Sequence, residues 1–273
     1  MAMPLESRFS DLPLLSSPQN QRVKEYVALR TDGNLRREKQ RFFLEGRRAV
    51  AAALGLPHVR VHEVIFCEHL LGEDLELVVL ARARGISLTR VSRDVFKKAA
   101  DVATPQGIAA VVQIPQWRAE DVFSRPQALF AVACGIQDPG NLGTLIRSCA
   151  AAGAAGLITL EGTADPFNAK VVRATAAGLL ALPLLRLKTD EFLSEAAQRH
   201  VRLVAATVRA GVPYKQFDWR VRPLALCIGS EGEGLPENME AACREKVTIP
   251  MQGQAESLNA AVAASILLFE AQT

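Results

Sequence analysis

Leu224–Ile228 is a nearly continuous apolar run, without the alternation of a strand that shows one face to water. Such a run bounded by turn residues reads as a strand buried on both sides. Comparable segments recur at Leu129–Gly135, Gly156–Leu160, Leu184–Leu187, Leu203–Thr207 and Lys246–Ile249. Between them lie helical patterns at Leu142–Ala152, Phe167–Ala177, Glu191–Arg199 and Glu237–Cys243, and Ser257–Ala271 closes the chain. Strands alternating with helices predict a parallel sheet covered on both faces. The second half of the chain is therefore expected to be an α/β domain.

The first half shows a smaller alternation. Gln19–Leu29 has helical spacing, Thr31–Asn34 is a turn signal, and Arg41–Leu44 reads as a strand. Helices at Arg47–Leu54, Leu75–Arg84 and Asp94–Ala99 then separate strands at His62–Cys67, Ser87–Val91 and Ile108–Ile114. These patterns predict two domains, residues 11–115 and 127–273, joined by a polar linker over 116–126. Residues 1–17 read as a loose lead-in. Glu6, Arg8 and Asp11 stand where a signal peptide would have an apolar core, and no apolar run is long enough to span a bilayer. The expectation is a cytoplasmic protein with no membrane partner.

Five cysteines without a CxxC pair, each in or beside an apolar segment, read as reduced, buried thiols. His58 and His62 have i,i+4 spacing but lie in a β-like run after Pro57, so no metal site is expected. Net charge is +3, yet residues 19–48 hold nine Lys or Arg against four Asp or Glu. A local basic stretch in a near-neutral chain suggests a polyanion partner, and a solvated helix face is the plainer alternative.

Three segments sit where ligands of open parallel sheets bind, after the carboxyl ends of strands. The first, residues 136–147, has a Pro139-Gly140 turn and Asn141 as a helix cap. Arg147 lies six residues on, roughly 1.7 turns away. The second, residues 229–236, is glycine-rich and carries Glu231; it has neither a phosphate-loop ending nor dinucleotide spacing. The third, residues 249–259, leads into the last helix, with Ser257 or Asn259 as its cap.

Together these segments resemble the SpoU (TrmH-like) branch of the SPOUT RNA methyltransferases. Asn141 and Arg147 fit the first family motif, Gly229, Ser230, Glu231, Gly234 and Leu235 the second, and Ile249 through Asn259 the third. Arg41–Gly46 and Thr104–Ile108 resemble elements of the family's ribosomal-protein-like substrate-binding domain. One departure lies in Arg173–Gly178, where Thr175 replaces the usual Ser and Ala177 the usual Gly.

The resemblance implies a C-terminal knotted parallel-sheet domain with a smaller N-terminal α/β RNA-binding domain, a homodimer, and S-adenosylmethionine as cofactor. It implies methyl transfer to a ribose 2′-hydroxyl, with ribosomal RNA favoured over transfer RNA. The reaction needs no metal, because the sulfonium methyl is already activated. Asn141, Arg147, Glu231, Ser257 and Asn259 are the expected catalytic set. Arg147 would stabilise the developing alkoxide, and Glu231 would fix Asn141 and Arg147. Which group takes the proton stays open. Gly229, Gly234, Ile249 and Leu258 are expected at the cofactor, with Thr207 a weaker candidate. Arg22, Lys24, Arg36, Arg37, Lys39 and Arg41 would hold RNA phosphates. Two rivals share the fold: a catalytically silent RNA-binding protein and a base-methylating enzyme. A doubly wound dehydrogenase would need a GxGxxG loop that is not found.

Overall fold

The computed structural model describes residues 9–70, 72–100, 102, 104–175, 177–208, 210–254 and 256–273. The first eight residues of the expected lead-in, with Glu6 and Arg8, lie outside them. Two compact units form, one of the first 115 residues with Phe167–Leu180, the other of Gln116–Pro166 with Ala181–Thr273.

Unit 1 begins with α1 (Gln21–Thr31), capped by the Asn20 side chain, which accepts from the Arg22 amide at 2.9 Å. The Thr31–Asn34 turn signal marks a junction between helices. Asp32 caps an unforeseen α2 (Gly33–Lys39), accepting from the Asn34 amide at 2.8 Å. That helix has too little apolar periodicity to be read from pattern alone. Then follow β1 (Arg41–Glu45), α3 (Arg47–Gly55), β2 (Val61–Cys67), α4 (Glu73–Ala83), β3 (Ser87–Val91), α5 (Arg93–Ala99) and β4 (Ile108–Gln113).

The sheet order is β1-β4-β2-β3. β4 runs antiparallel to both β1 and β2, while β2 and β3 are parallel. Val23, Tyr26 and Leu29 of α1 pack with Phe43, Ile65, Val95 and Phe96 in the core of this unit. Each such large apolar side chain contributes about 1.5–3 kcal/mol on burial. His62 bonds the Gln113 side chain at 2.6 Å and His58 the Leu180 carbonyl at 2.8 Å.

Unit 2 starts with α6 (Ala119–Phe123), inside the segment expected to be a linker. Val122 and Phe123 are buried in this unit's core, so residues 116–126 are part of the folded body. The helix is only five residues long, too short to register as a period. Next come β5 (Leu129–Ala133), α7 (Pro139–Ala151) and β6 (Gly156–Thr159). The chain then enters unit 1 as α8 (Ala169–Ala174) and α9 (Gly178–Ala181, its last residue assigned to unit 2). There Phe167 packs on Phe42, ring centroids 5.1 Å apart. The helix expected over 167–177 is shorter, Ala169–Ala174, and Ala177, directly before α9, has a left-handed φ of 73°. Thr175 is buried and its hydroxyl donates to the Val172 carbonyl at 2.8 Å.

The chain continues as β7 (Leu184–Arg186), α10 (Thr189–Gln198), β8 (Arg202–Ala206), a two-residue β9 (Val212–Pro213), β10 (Leu224–Ile228), α11 (Glu237–Ala242), β11 (Glu245–Thr248) and α12 (Ala260–Glu270). The seven strands pair in parallel in the order β7-β6-β5-β10-β8-β11-β9. β10 is central and buried throughout, as its apolar run predicts. No helix among the described residues is long and apolar enough to cross a membrane. All five cysteines are free and buried.

Candidate active site

From β5 the chain steps outward to β6 and β7, and later returns on the other side through β8 and β10. The order reverses between β5 and β10, the kind of switch point where open α/β sheets bind ligands. The segments after β5, β10, β8 and β11 start from four consecutive strands of the sheet. Those after β10, β8 and β11 enclose a cavity of about 680 Å³, within the usual range of roughly 300–1,000 Å³ for ligand pockets.

Thr207 and Val208 line it from β8, Gly229–Leu235 from β10, and Ile249, Met251, Ser257, Leu258 and Asn259 from the segment after β11. Every residue expected at the cofactor is thus in its wall. Val208, outside the motifs, and Met251, inside the third, were not expected in this wall. Nor were Glu240 and Lys246, an ion pair at the same wall.

The 229–235 loop closes on itself. The Ser230 and Gly234 amides each donate to the other's carbonyl at 3.0 Å. A Cβ on Gly229 would lie 2.1 Å from the Gly234 carbonyl carbon, so only glycine fits there. Gly234 adopts φ 71°, a left-handed turn that glycine takes without strain.

At the cavity mouth three side chains form a closed set. Asn141 Nδ2 donates to Glu231 Oε1 at 2.9 Å. Asn259 Nδ2 donates to Asn141 Oδ1 at 2.8 Å and also to Glu231 Oε1. Asn259 Oδ1 meanwhile accepts from the Ala261 and Val262 amides, capping α12. One amide side chain is needed because it both accepts from the helix and donates to its two neighbours.

The expected cap at Asn141 is corrected by the structure. Asp138 is the N-cap of α7, accepting from the Asn141 amide at 2.8 Å, with Pro139 at the first helical position. An acid directly before a proline is a helix-start signal that could have been read. Asn141 lies inside the first turn, which frees its side chain for Glu231 and Asn259.

Glu231 does not pair with Arg147 as expected. Arg147 is exposed and has no side-chain partner among the described residues. Ser257 is likewise exposed, its hydroxyl unpartnered, in the cavity wall. Among the described residues no group of three or more His, Cys, Asp or Glu could hold a metal.

The basic segment is less uniform than its charge count. Lys24, Arg37 and Lys39 are exposed and Arg41 is half-buried. Arg22 is exposed but ion-paired to Glu63. Arg36 is 2% exposed, and its guanidinium donates to the carbonyls of Leu29 at 2.8 Å and Arg30 at 3.0 Å. It closes the end of α1 and is unavailable to RNA, which corrects its expected role.

A parallel α/β unit with a cavity beside its switch point, and an amide–carboxylate set at the mouth, is a ligand-binding enzyme of the α/β class. Residues 128–269 match the model of the SpoU rRNA Methylase family, and residues 20–110 that of the MRM3-like substrate binding domain. The chain belongs to the SpoU rRNA methylase family. It is 34% identical over 259 residues to the 23S rRNA (guanosine(2553)-2'-O)-methyltransferase RlmP of Bacillus subtilis, covering 93% of this chain and 97% of that one. The AdoMet-bound rRNA methyltransferase of Sinorhizobium meliloti superposes with a TM-score of 0.86 at 30% identity, covering 96% and 98%. The SpoU methyltransferase AviRb of Streptomyces viridochromogenes, in complex with AdoMet, gives 0.82 at 28%, covering 93% and 98%.

Proposed function

We propose that this protein transfers a methyl group from S-adenosylmethionine to a ribose 2′-hydroxyl of 23S ribosomal RNA. The observation that carries the reading is the bonded set Asn141–Glu231–Asn259, which joins the family's three motifs at the mouth of a cavity lined by the second and third. The cavity suits the cofactor: its volume is adequate, and Ile249, Leu258 and the glycine loop offer apolar contact and backbone groups. When bound, S-adenosylmethionine supplies a methyl group already activated on a sulfonium.

The chain's own residues then have to hold the ribose in line and stabilise the charge that develops on its 2′-oxygen. Asn141 is held by Glu231 and Asn259 and gives the mouth a fixed shape, which supports alignment. Arg147, exposed and unpaired, is available to meet a phosphate and the developing alkoxide. Ser257 adds a free hydroxyl to the wall. Lys24, Arg37, Lys39 and Arg41 would hold the RNA backbone, giving affinity and register with little sequence information.

The finer expectations go with this reading. Residues 11–115 hold RNA and residues 127–273 carry the chemistry, in a deep trefoil knot. The protein acts in the cytoplasm as a homodimer. In support of the dimer, Val262, Ile266 and Phe269 lie along one face of α12, with Val262 44% and Phe269 52% exposed.

The test is transfer of labelled methyl to unmodified ribosomal and transfer RNA, followed by digestion to nucleosides, with Asn141→Ala and Arg147→Ala alongside. The expected product is a 2′-O-methyl nucleoside from ribosomal RNA, lost in both variants. A methylated base, or product from transfer RNA alone, would overturn the reading. Absence of cofactor binding would leave the silent RNA-binding alternative.

A further inference from the structure

Unit 1 contains a second cavity, of about 450 Å³, that this reaction scheme does not use. It opens beyond the carboxyl end of β2, where the chain passes through His69 and Leu70. The α5 residues Arg93, Phe96 and Lys97 form a second wall, and Thr104–Gly107, leading into β4, a third. β2 and β3 are the parallel pair of this sheet, and the crevice beyond parallel strand ends is where α/β sheets receive ligands.

The walls differ in chemistry. Phe96 and Leu70 are buried and make an apolar floor. Arg93 and Lys97 are exposed on the rim, and neither has a hydrogen bond or ion pair among the described residues. In this they differ from Arg22 and Arg36, whose guanidinium groups are engaged within the chain. Among the described residues, Glu68 and Asp94, the acids flanking the site along the chain, are not in its walls.

The third wall is held in place by the fold. Gln106 Oε1 accepts from the Arg47 amide at 2.8 Å, which leaves its amide nitrogen without a partner. Gly107 has φ 82°, and a Cβ there would stand 3.2 Å from Leu70 and 3.3 Å from Cys67. The Thr104 hydroxyl is exposed and unpartnered beside them.

An apolar floor, a free amide and hydroxyl on one wall, and two free cations on the rim match one kind of ligand. Unpaired RNA bases are recognised by stacking on apolar surface and by bonds to their edges, and their phosphates by Arg and Lys. We propose that unit 1 captures one unpaired nucleotide of the RNA substrate in this cavity. The base enters over Phe96 and Leu70 toward Gln106 and Thr104, and the phosphodiester rests on Arg93 and Lys97. This inference rests on the RNA methyltransferase reading and assigns substrate selection to a site apart from the basic segment of α1 and α2.

The test compares the full-length protein with the variants Arg93→Gln/Lys97→Gln and Thr104→Trp. Each is measured for binding to a labelled transcript of 23S ribosomal RNA over a range of salt, for methyl transfer, for cofactor affinity and for thermal midpoint. The altered residues are exposed, so cofactor affinity and thermal midpoint are expected to stay the same, as is kcat at saturating RNA. The double variant is expected to raise the KM for RNA about tenfold or more and to reduce the salt dependence of binding by about two released ions. Thr104→Trp, which fills the cavity, is expected to raise KM without changing the salt dependence.

Unchanged KM and salt dependence in both variants would overturn the proposal. An effect of the charge variant alone would overturn the nucleotide pocket and leave a plain phosphate contact. If the unaltered protein binds the transcript but transfers no methyl, the methyltransferase reading fails while the binding measurements still decide the cavity.

Discussion

Asn141 and Glu231, 90 residues apart in the chain, are bonded at 2.9 Å because the strands that precede them are neighbours in the sheet. β5 delivers Asn141 on the first turn of α7, and β10 delivers Glu231 in a self-closing glycine loop. Asn259 ties both to the start of the last helix. A change at any one of the three therefore reaches the others.

Asn141→Ala removes two bonds of this set and no helix cap. Methyl transfer is expected to fall roughly a hundredfold through misalignment, with folding stability nearly unchanged. Asn259→Ala should lose similar activity and, because the cap of α12 is also lost, about 1 kcal/mol of stability. Paired measurements of kcat and urea midpoint distinguish the two; equal stability losses would contradict the assignment of the cap.

Gly229→Ala places a methyl group inside the return of its own loop, 2.1 Å from the Gly234 carbonyl carbon. The loop has to move, at a cost of about 1–3 kcal/mol. The cavity wall moves with it, so cofactor affinity should drop in titration calorimetry. An unchanged affinity would mean that the 229–235 wall does not touch the cofactor.

Arg36→Met and Lys39→Gln should separate structure from binding. The first leaves two carbonyls at the end of α1 without their donor and is expected to cost about 1–3 kcal/mol. The second should leave stability within about 0.5 kcal/mol and lower the salt dependence of RNA binding by about one ion. Thermal melts and salt titrations measure both.

Ala177 occupies a left-handed conformation, φ 73°, at a position where glycine is unstrained. Relief of the Cβ clash exceeds the entropy that glycine loses on folding. Ala177→Gly is therefore expected to stabilise the protein by about 0.5–1 kcal/mol in chemical denaturation. A destabilised variant would show that the turn is not left-handed in solution.

Alkaline pH should weaken the fold. Burial pushes the Cys149 thiol up to about 12, and it raises Cys134 and Tyr26 as well. A raised folded-state pKa favours the neutral form, so its stabilisation is complete below the unfolded pKa and is lost as pH climbs toward the folded one. The denaturant midpoint should hold up to about pH 9 and decline above it. Native Cys149 should also resist alkylation near neutral pH, and rapid labelling there would contradict its burial.

The chain's local patterns were enough to mark most of the strands and the three motif segments, and the resemblance they carry pointed to Thr207, Gly229, Gly234, Ile249 and Leu258, all of which line the cavity. Apolar runs and glycine loops act over a few residues, and a linear reading captures them. Short or polar elements escaped it. Polar α2 has too little apolar periodicity, and five-residue α6 too few turns, to show a period. The tertiary structure alone decided the roles of particular side chains. Arg36 reads as one more basic residue until the packing of α1 against α2 buries it. Asn141 reads as a cap until Asp138 takes that place. Strand order decided the site itself: residues far apart in sequence meet because β5, β10, β8 and β11 are adjacent, and adjacency follows from which faces bury one another, a property no local window contains.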